Sequence, residues 1–402
     1  MGTTSGSVSE KVFRWPLTRL DLAGAFGDIG VLFPIAIALI TLNHMNPTAV
    51  FLTAGLTYVL AGRYFQIPIA VQPFKAVAAI ALAMSLSPSA IAGAGLLMGV
   101  LLLLIAGTHL ASKLARLFSL PIVRGIQLGL GLLLVREGLR LMVRQQSSLE
   151  LAGGTSIASW HIALGGGVIL LLLHRSRRFP AALVLLAAGA ALGLLISRGG
   201  LPSFTLGPVP IRFYHPHWNE LRRVMLLLVV PQFALTFGNS IVATEDTARI
   251  LYGPQARRVT VRALSLSIGI VNVITAFLQG APLCHGSGGI TAHYKFGARS
   301  VKSSYVIGGL CIGLAMFGRE AIGLLQLIPT AMLGVFLAYV GIQHAAYLRD
   351  IVRHLPQLLI AICVGVVSLA TTNLMWGFLI GFVLQGILYF IRKKETRNWH
   401  SP

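Results

Sequence analysis

Apolar runs of about 20 residues, the length that crosses a bilayer, alternate along the whole chain with short basic or Pro- and Gly-rich breaks. In the first half the runs are 20–41, 48–61, 67–84, 90–108, 121–142, 157–173 and 180–196. A stretch rich in Pro, Gly and His, 197–223, separates them from a second set. That set is 224–246, 259–278, 280–290, 303–317, 321–341, 355–370 and 374–391. Runs of this length with no soluble segment between them predict an all-α polytopic membrane protein with fourteen transmembrane elements, because a lipid-exposed backbone must satisfy its own hydrogen bonds.

Two elements carry breaks inside the apolar run. The third contains Pro68 and Gln72-Pro73-Phe74-Lys75 before Ala76–Met84 turns apolar again. The tenth contains Pro282-Leu283-Cys284-His285-Gly286-Ser287-Gly288-Gly289. A residue before Pro avoids the helical region, and Pro suits the first turn of a helix. Each break therefore predicts a short extended piece followed by a half-helix, starting near Pro73 and from about Ile290 onward.

The two halves echo each other. Phe26-Gly27-Asp28 recurs as Phe237-Gly238-Asn239, 211 residues later, and Pro73 recurs as Pro282 at a spacing of 209. Seven elements per half start the second half on the opposite side of the membrane. The expected fold is a seven-plus-seven inverted repeat, as in many secondary transporters. Its parts would be a first repeat 1–196, an extracytoplasmic connection 197–223, a second repeat 224–391 and a cytoplasmic tail 392–402.

Composition agrees. The 402 residues are 55% hydrophobic and 11% charged, with a mean hydropathy of +0.81; soluble domains carry about 25% charged residues. The net charge of +21 does not point to nucleic acid, because the basic residues sit in short loops. The clusters at the N-terminus and at 113–116, 175–178, 249–262, 295–302, 349–353 and 392–394 fall on one side, a positive-inside pattern. Both termini are expected in the cytoplasm of a bacterial inner membrane, entered through an uncleaved first span. Three scattered cysteines, Cys284, Cys311 and Cys363, give neither a disulfide framework nor metal-ligand spacing. No cofactor is expected, and the sequence leaves a homodimer open.

The chemistry concentrates in few places. Of eleven acids, only Asp28, Glu245 and Asp246 fall toward the membrane interior, and Lys75 is the one lysine inside an apolar span. Intramembrane ionisable groups usually face a bundle interior or a water path. Glu137 has Arg140 at i+3 and reads as a local pair. Two half-helices starting near mid-membrane aim unpaired N–H groups and partial positive charge at one place, which is an anion site made of backbone. Structural alternatives stand beside these readings. The glycines can simply allow close packing, His285 can be a satisfied polar residue, Cys284 a packing residue, and Asp28 a partner for Lys75. Asp246 is the better surface residue of the acidic pair.

Ala25-Phe-Gly-Asp-Ile-Gly30, Val71-Gln-Pro-Phe-Lys75, Gly238-Asn-Ser-Ile-Val-Ala-Thr-Glu-Asp-Thr247 and Pro282–Gly289 with Phe296-Gly-Ala-Arg299 together resemble the molybdate transporter family, a branch related to sulfate permeases. Phe74 stands where the motif more often has Met, and the C-terminal STAS domain usual in sulfate permeases has no counterpart here. The resemblance implies uptake of molybdate or sulfate through a site between the third and tenth elements, lined by the first and eighth. The expected ligands are N–H groups at Phe74-Lys75 and at His285–Gly288, with Gln72, Pro73, Asn239, Ser240, Cys284 and Ser287 around them. Glu245, and with it Asp28, are the expected proton carriers. Rival readings are transport of bicarbonate, a dicarboxylate or a nucleobase, since a fold alone permits all three. An intramembrane hydrolase built on Ser240, His285 and Glu245 is a weaker rival, because Ser240 lacks a nucleophile-elbow setting.

Overall fold

The computed structural model describes residues 18–26, 29–108, 110, 119–143, 149–150, 156–173, 181–196, 207–318 and 328–398. Each expected element carries a helix among them. The first holds α1 (Arg19–Ala25) and α2 (Ile29–Leu42), and α3 (Pro47–Phe65) follows. A two-residue strand, β1 (Gln72–Pro73), leads into the half-helix α4 (Lys75–Met84). Next come α5 (Pro88–Gly107), α6 (Leu120–Val143), α7 (Ser159–Leu173) and α8 (Ala181–Ile196). A small hairpin of β2 (Leu149–Glu150) and β3 (Ser156–Ile157) occupies what the sequence presents as a polar loop.

The eighth element is a single long helix, α9 (Trp218–Arg258), reaching well beyond both ends of the apolar run. It contains two π-helical turns, at Met225–Val229 and Thr236–Val242. The second encloses Gly238, Asn239 and Ser240, and Thr244 Oγ1 donates back to Asn239 O at 3.0 Å. Single π turns mark functional places in helices. The chain continues with α10 (Val261–Phe277), β4 (Leu283–Cys284) and the half-helix α11 (Ser287–Lys295). The latter begins three residues earlier than expected, since its glycines are helical. Then come α12 (Lys302–Met316), α13 (Thr330–Ile351, closing in a 3-10 turn), α14 (Leu355–Thr371) and α15 (Leu374–Asn398). Among the described helices α5, α9 and α13 are long and apolar enough to cross a membrane on their own.

The helices sort into two bundles. In one, α3 packs on α12 and α5 on α10, with α4 and α11 inside; in the other, α6 packs on α13 and α14, flanked by α15, α7 and α8. The closest crossings use glycine pairs. A Cβ at Gly55 would stand 2.7 Å from Gly308 O, and one at Gly99 2.9 Å from Gly269 O. In the second bundle the same measure is 2.5 Å for Gly131 against Gly341 O and for Gly138 against Gly334 O. Lipid offers little hydrophobic drive between helices, so close backbone approach supplies the attraction. The bundles meet along α6, which touches α4 and α9, and along α2, which touches α8 and α13.

Replacing Gly131 by Leu should force α6 and α13 apart and destabilise the protein by about 1–3 kcal/mol. Gly165→Ala, where the added carbon meets nothing within 4 Å, should stay within about 0.5 kcal/mol. Thermal unfolding in detergent measures both.

Candidate anion site

β1 and β4 pair antiparallel inside the first bundle, with Gln72 opposite Cys284 and Pro73 opposite Leu283. Phe74 N–H donates to Pro282 O at 2.7 Å. Polar side chains from neighbouring helices complete the pairing. Asn272 on α10 brackets Leu283, its Nδ2 donating to the carbonyl at 2.6 Å and its Oδ1 accepting from the N–H at 2.9 Å. Ser304 Oγ accepts from Ile69 N–H at 3.2 Å. His285 Nδ1 donates to Ala70 O at 2.9 Å, and in the neutral ring Nε2 accepts from the Ser267 hydroxyl at 2.9 Å. Irregular backbone at membrane depth requires such partners, since each orphan group costs several kcal/mol in hydrocarbon.

The two half-helices start from this pairing with no side-chain cap bond from Phe74 or Gly286, their N-caps. Their first turns differ. At α4, Gln232 Oε1 on α9 accepts from Ala76 N–H (2.9 Å) and Val77 N–H (3.2 Å), while its Nε2 donates to Thr236 Oγ1 (2.9 Å). That leaves Lys75 N–H as the one first-turn amide without a partner among the described residues. At α11 the N–H groups of Ser287, Gly288 and Gly289 all lack a partner among the described residues. The positive end of α11 is open, and that of α4 is largely filled by Gln232.

Side chains close around the open end. Asn239 Oδ1 accepts from Ser287 Oγ at 2.9 Å, and Ser240 is buried beside it. A Cβ at Gly286 would stand 2.6 Å from Gln72 Oε1, and one at Gly288 2.8 Å from the Tyr347 hydroxyl, so glycine admits both neighbours. Lys75 is buried. A cavity of about 230 Å³ opens next to Asn239, between Val123 and Arg124 of α6 and Gly238, Val242 and Asp246 of α9.

Four expectations change. Phe74 N–H is consumed by the strand pairing and is no anion ligand. His285 has both ring nitrogens engaged, by Ala70 and Ser267, so it is structural; Cys284 likewise serves through its place in β4, its buried thiol outside any disulfide. Glu245 faces away from the cavity: Arg249 pairs with it, and its Oε2 accepts from Val261 N–H at 3.2 Å, at the start of α10. The carboxylate that lines the cavity is Asp246. Asp28 lies outside the described residues. Glu137 is paired with Arg140 at 3.8 Å, as its spacing suggests. Gln232, Asn272, Arg124 and Tyr347 enter the site without having been singled out. The lone amides in apolar runs were the signal for the first two.

A family model described as "Molybdate transporter of MFS superfamily" matches residues 21–134 and 224–343. The chain is 28% identical over 420 residues to Molybdate transporter 2 of Arabidopsis thaliana, covering 95% of this chain and 89% of that protein. It is 26% identical over 471 residues to Molybdate transporter 1 of Chlamydomonas reinhardtii, covering 91% of each. Among solved structures, SLC26A9 superposes with a TM-score of 0.68 at 15% identity, over 93% of this chain and 65% of that one. The chain thus spans just under two thirds of SLC26A9. The transmembrane domain of the cyanobacterial bicarbonate transporter BicA superposes with a TM-score of 0.65 at 16% identity, over 92% and 98%. The family description names the MFS superfamily, whereas the architecture matches the SLC26 proteins; at these identities the likeness speaks for the fold alone.

Gln232→Ala should leave the Ala76 and Val77 amides unsatisfied and lower stability by about 1–3 kcal/mol, read as a lower unfolding midpoint in detergent. His285→Ala should lower that midpoint as well, through the loss of both ring hydrogen bonds.

Proposed function

The chain belongs to the molybdate transporter family, and we propose that it is a secondary active transporter taking up a tetrahedral oxyanion, molybdate before sulfate, together with a proton. It is a multi-pass membrane protein and not an enzyme. The observation that carries the reading is the open start of α11. Three amides without a partner among the described residues sit beside Asn239, and the strand pairing joins their helix to the half-helix that carries the buried Lys75; the described residues hold no metal-binding cluster. Amide hydrogens suit a tetrahedral dianion, because several can converge on different oxygens without fixing a counter-charge. The relatives' printed names select molybdate within that class. A neutral nucleobase would gain nothing from Lys75.

The inverted repeat belongs to the same proposal. Gly55 and Gly269 occupy matching places in the second and ninth elements, and Gly99 and Gly308 in the fourth and eleventh. The contact Gly55–Gly308 is then the mirror of Gly269–Gly99. Both segments matched by the family model fall one in each half. These observations support repeats at 1–196 and 224–391 joined by 197–223, with 392–402 as a tail. Positive-inside charge favours cytoplasmic termini in a bacterial inner membrane.

Coupling follows from the charge of the substrate. Moving a negative charge inward against the membrane potential costs about 2.3 kcal/mol per 100 mV, so uptake needs a co-transported cation. Asp246, at the mouth of the cavity, and Asp28 are the carboxylates to carry a proton; Glu245 is occupied by Arg249 and Val261. In proteoliposomes, labelled molybdate uptake should accelerate when the outside is made acidic. Asp246→Asn should remove that acceleration while uptake itself continues, and Glu245→Gln should retain it. Uptake indifferent to the gradient in the unsubstituted protein would refute coupling; uptake of neither molybdate nor sulfate would refute the substrate class.

A further inference from the structure

We propose that Arg124 is a docking charge for the anion on the cytoplasmic side, carried by the second bundle and meeting the substrate only while the cavity between the bundles is open. The inference rests on the transport reading above. Arg124 sits one turn into α6, while the open amides belong to α11 in the other bundle. The two bundles touch one residue away: a Cβ at Gly238 would stand 2.8 Å from Val123 Cγ2. Alternating access largely moves one bundle against the other, so a charge on α6 faces the anion in one arrangement and loses it in the other.

The guanidinium is held in a way that suits this use. Its Nη1 donates to Gln127 Oε1 at 2.9 Å and its Nη2 to Asp350, yet the buried Nε–H has no partner among the described residues. Asp350, at the end of α13, balances the guanidinium charge. The ring of Tyr347 lies 5.4 Å below the guanidinium carbon. The hydroxyl of the same Tyr347 fills the space where a Cβ at Gly288, at the start of α11, would stand 2.8 Å from it. Arg124 shares the cavity with Asn239, which holds Ser287. A path of donors therefore runs from Arg124 to the open amides, and an oxyanion can take the Nε–H and Nη2 fork that Asp350 now half occupies.

A purely structural role predicts something different. If the Arg124–Asp350 pair only fastened α6 to the end of α13, loss of either partner would have the same effect. In the proposed role Asp350 competes with the anion, so the two losses act in opposite directions. The test is labelled molybdate transport in right-side-out and inside-out proteoliposomes. Arg124→Gln should raise the half-saturating concentration on the cytoplasmic side by about tenfold or more, as loss of charge-assisted bonds does, and leave the opposite side unchanged. Asp350→Asn should lower the cytoplasmic value by up to about fivefold, the range of an exposed ion pair. Should Arg124→Gln not fold, Arg124→Lys carries the test, since it keeps a charge and loses the planar fork; a several-fold rise confined to the cytoplasmic side is expected. Shifts of the same sign for the Arg124 and Asp350 variants, or equal shifts on both sides, overturn the inference and leave the transport reading intact. If the unsubstituted protein moves molybdate from neither side, both fall.

Discussion

The pairing of Gln72–Pro73 with Leu283–Cys284 is the constraint on which the site depends. A chain that interrupts two helices inside a membrane must repair every N–H and C=O it frees. Here the repair crosses between halves. His285 from the second half holds Ala70 of the first, Ser304 of the second holds Ile69, and β1 and β4 satisfy each other. Neither break is tolerable alone, so each half completes the other. The two half-helix starts are fixed relative to one another by the same bonds that prevent the membrane interior from holding bare backbone.

Within that frame the two half-helix starts differ. Gln232 reaches from α9 to fill the first turn of α4, and its own amide is steadied by Thr236. The corresponding turn of α11 has only small residues, Ser287, Gly288 and Gly289, and is left open. The π turn at Thr236–Val242 lies directly beside both arrangements. It places Gln232 and Thr236 toward α4 and Asn239 toward α11, so a single irregular helix serves both ends.

Much of this was legible in the sequence, and the failures have physical reasons. Apolar runs located a helix in each of the fourteen expected elements, because membrane helices must be apolar over a known length, while the small β2–β3 hairpin lay in a polar loop. Pro73 and Pro282 located the breaks, because proline cannot continue an upstream helix. The partners of the freed groups were harder, since Gln232 meets Ala76 across 156 positions and His285 meets Ala70 across 215. Arg124 and Tyr347 come from the other bundle, and only the packing of bundles brings them near. The choice between Glu245 and Asp246 was not open to counting, because the π turn at Thr236–Val242 breaks the 3.6-residue repeat between Asn239 and the acidic pair, and Asp246 is the residue in the cavity.

The filled first turn of α4 bears on stoichiometry. A symmetric pair of half-helix ends could seat two anions, whose mutual repulsion would oppose loading. With Gln232 acting as a built-in occupant of one seat, a single vacancy remains. Under the proposed inverted repeat, the backbone twofold is given up at the substrate, and one passage would carry one ion.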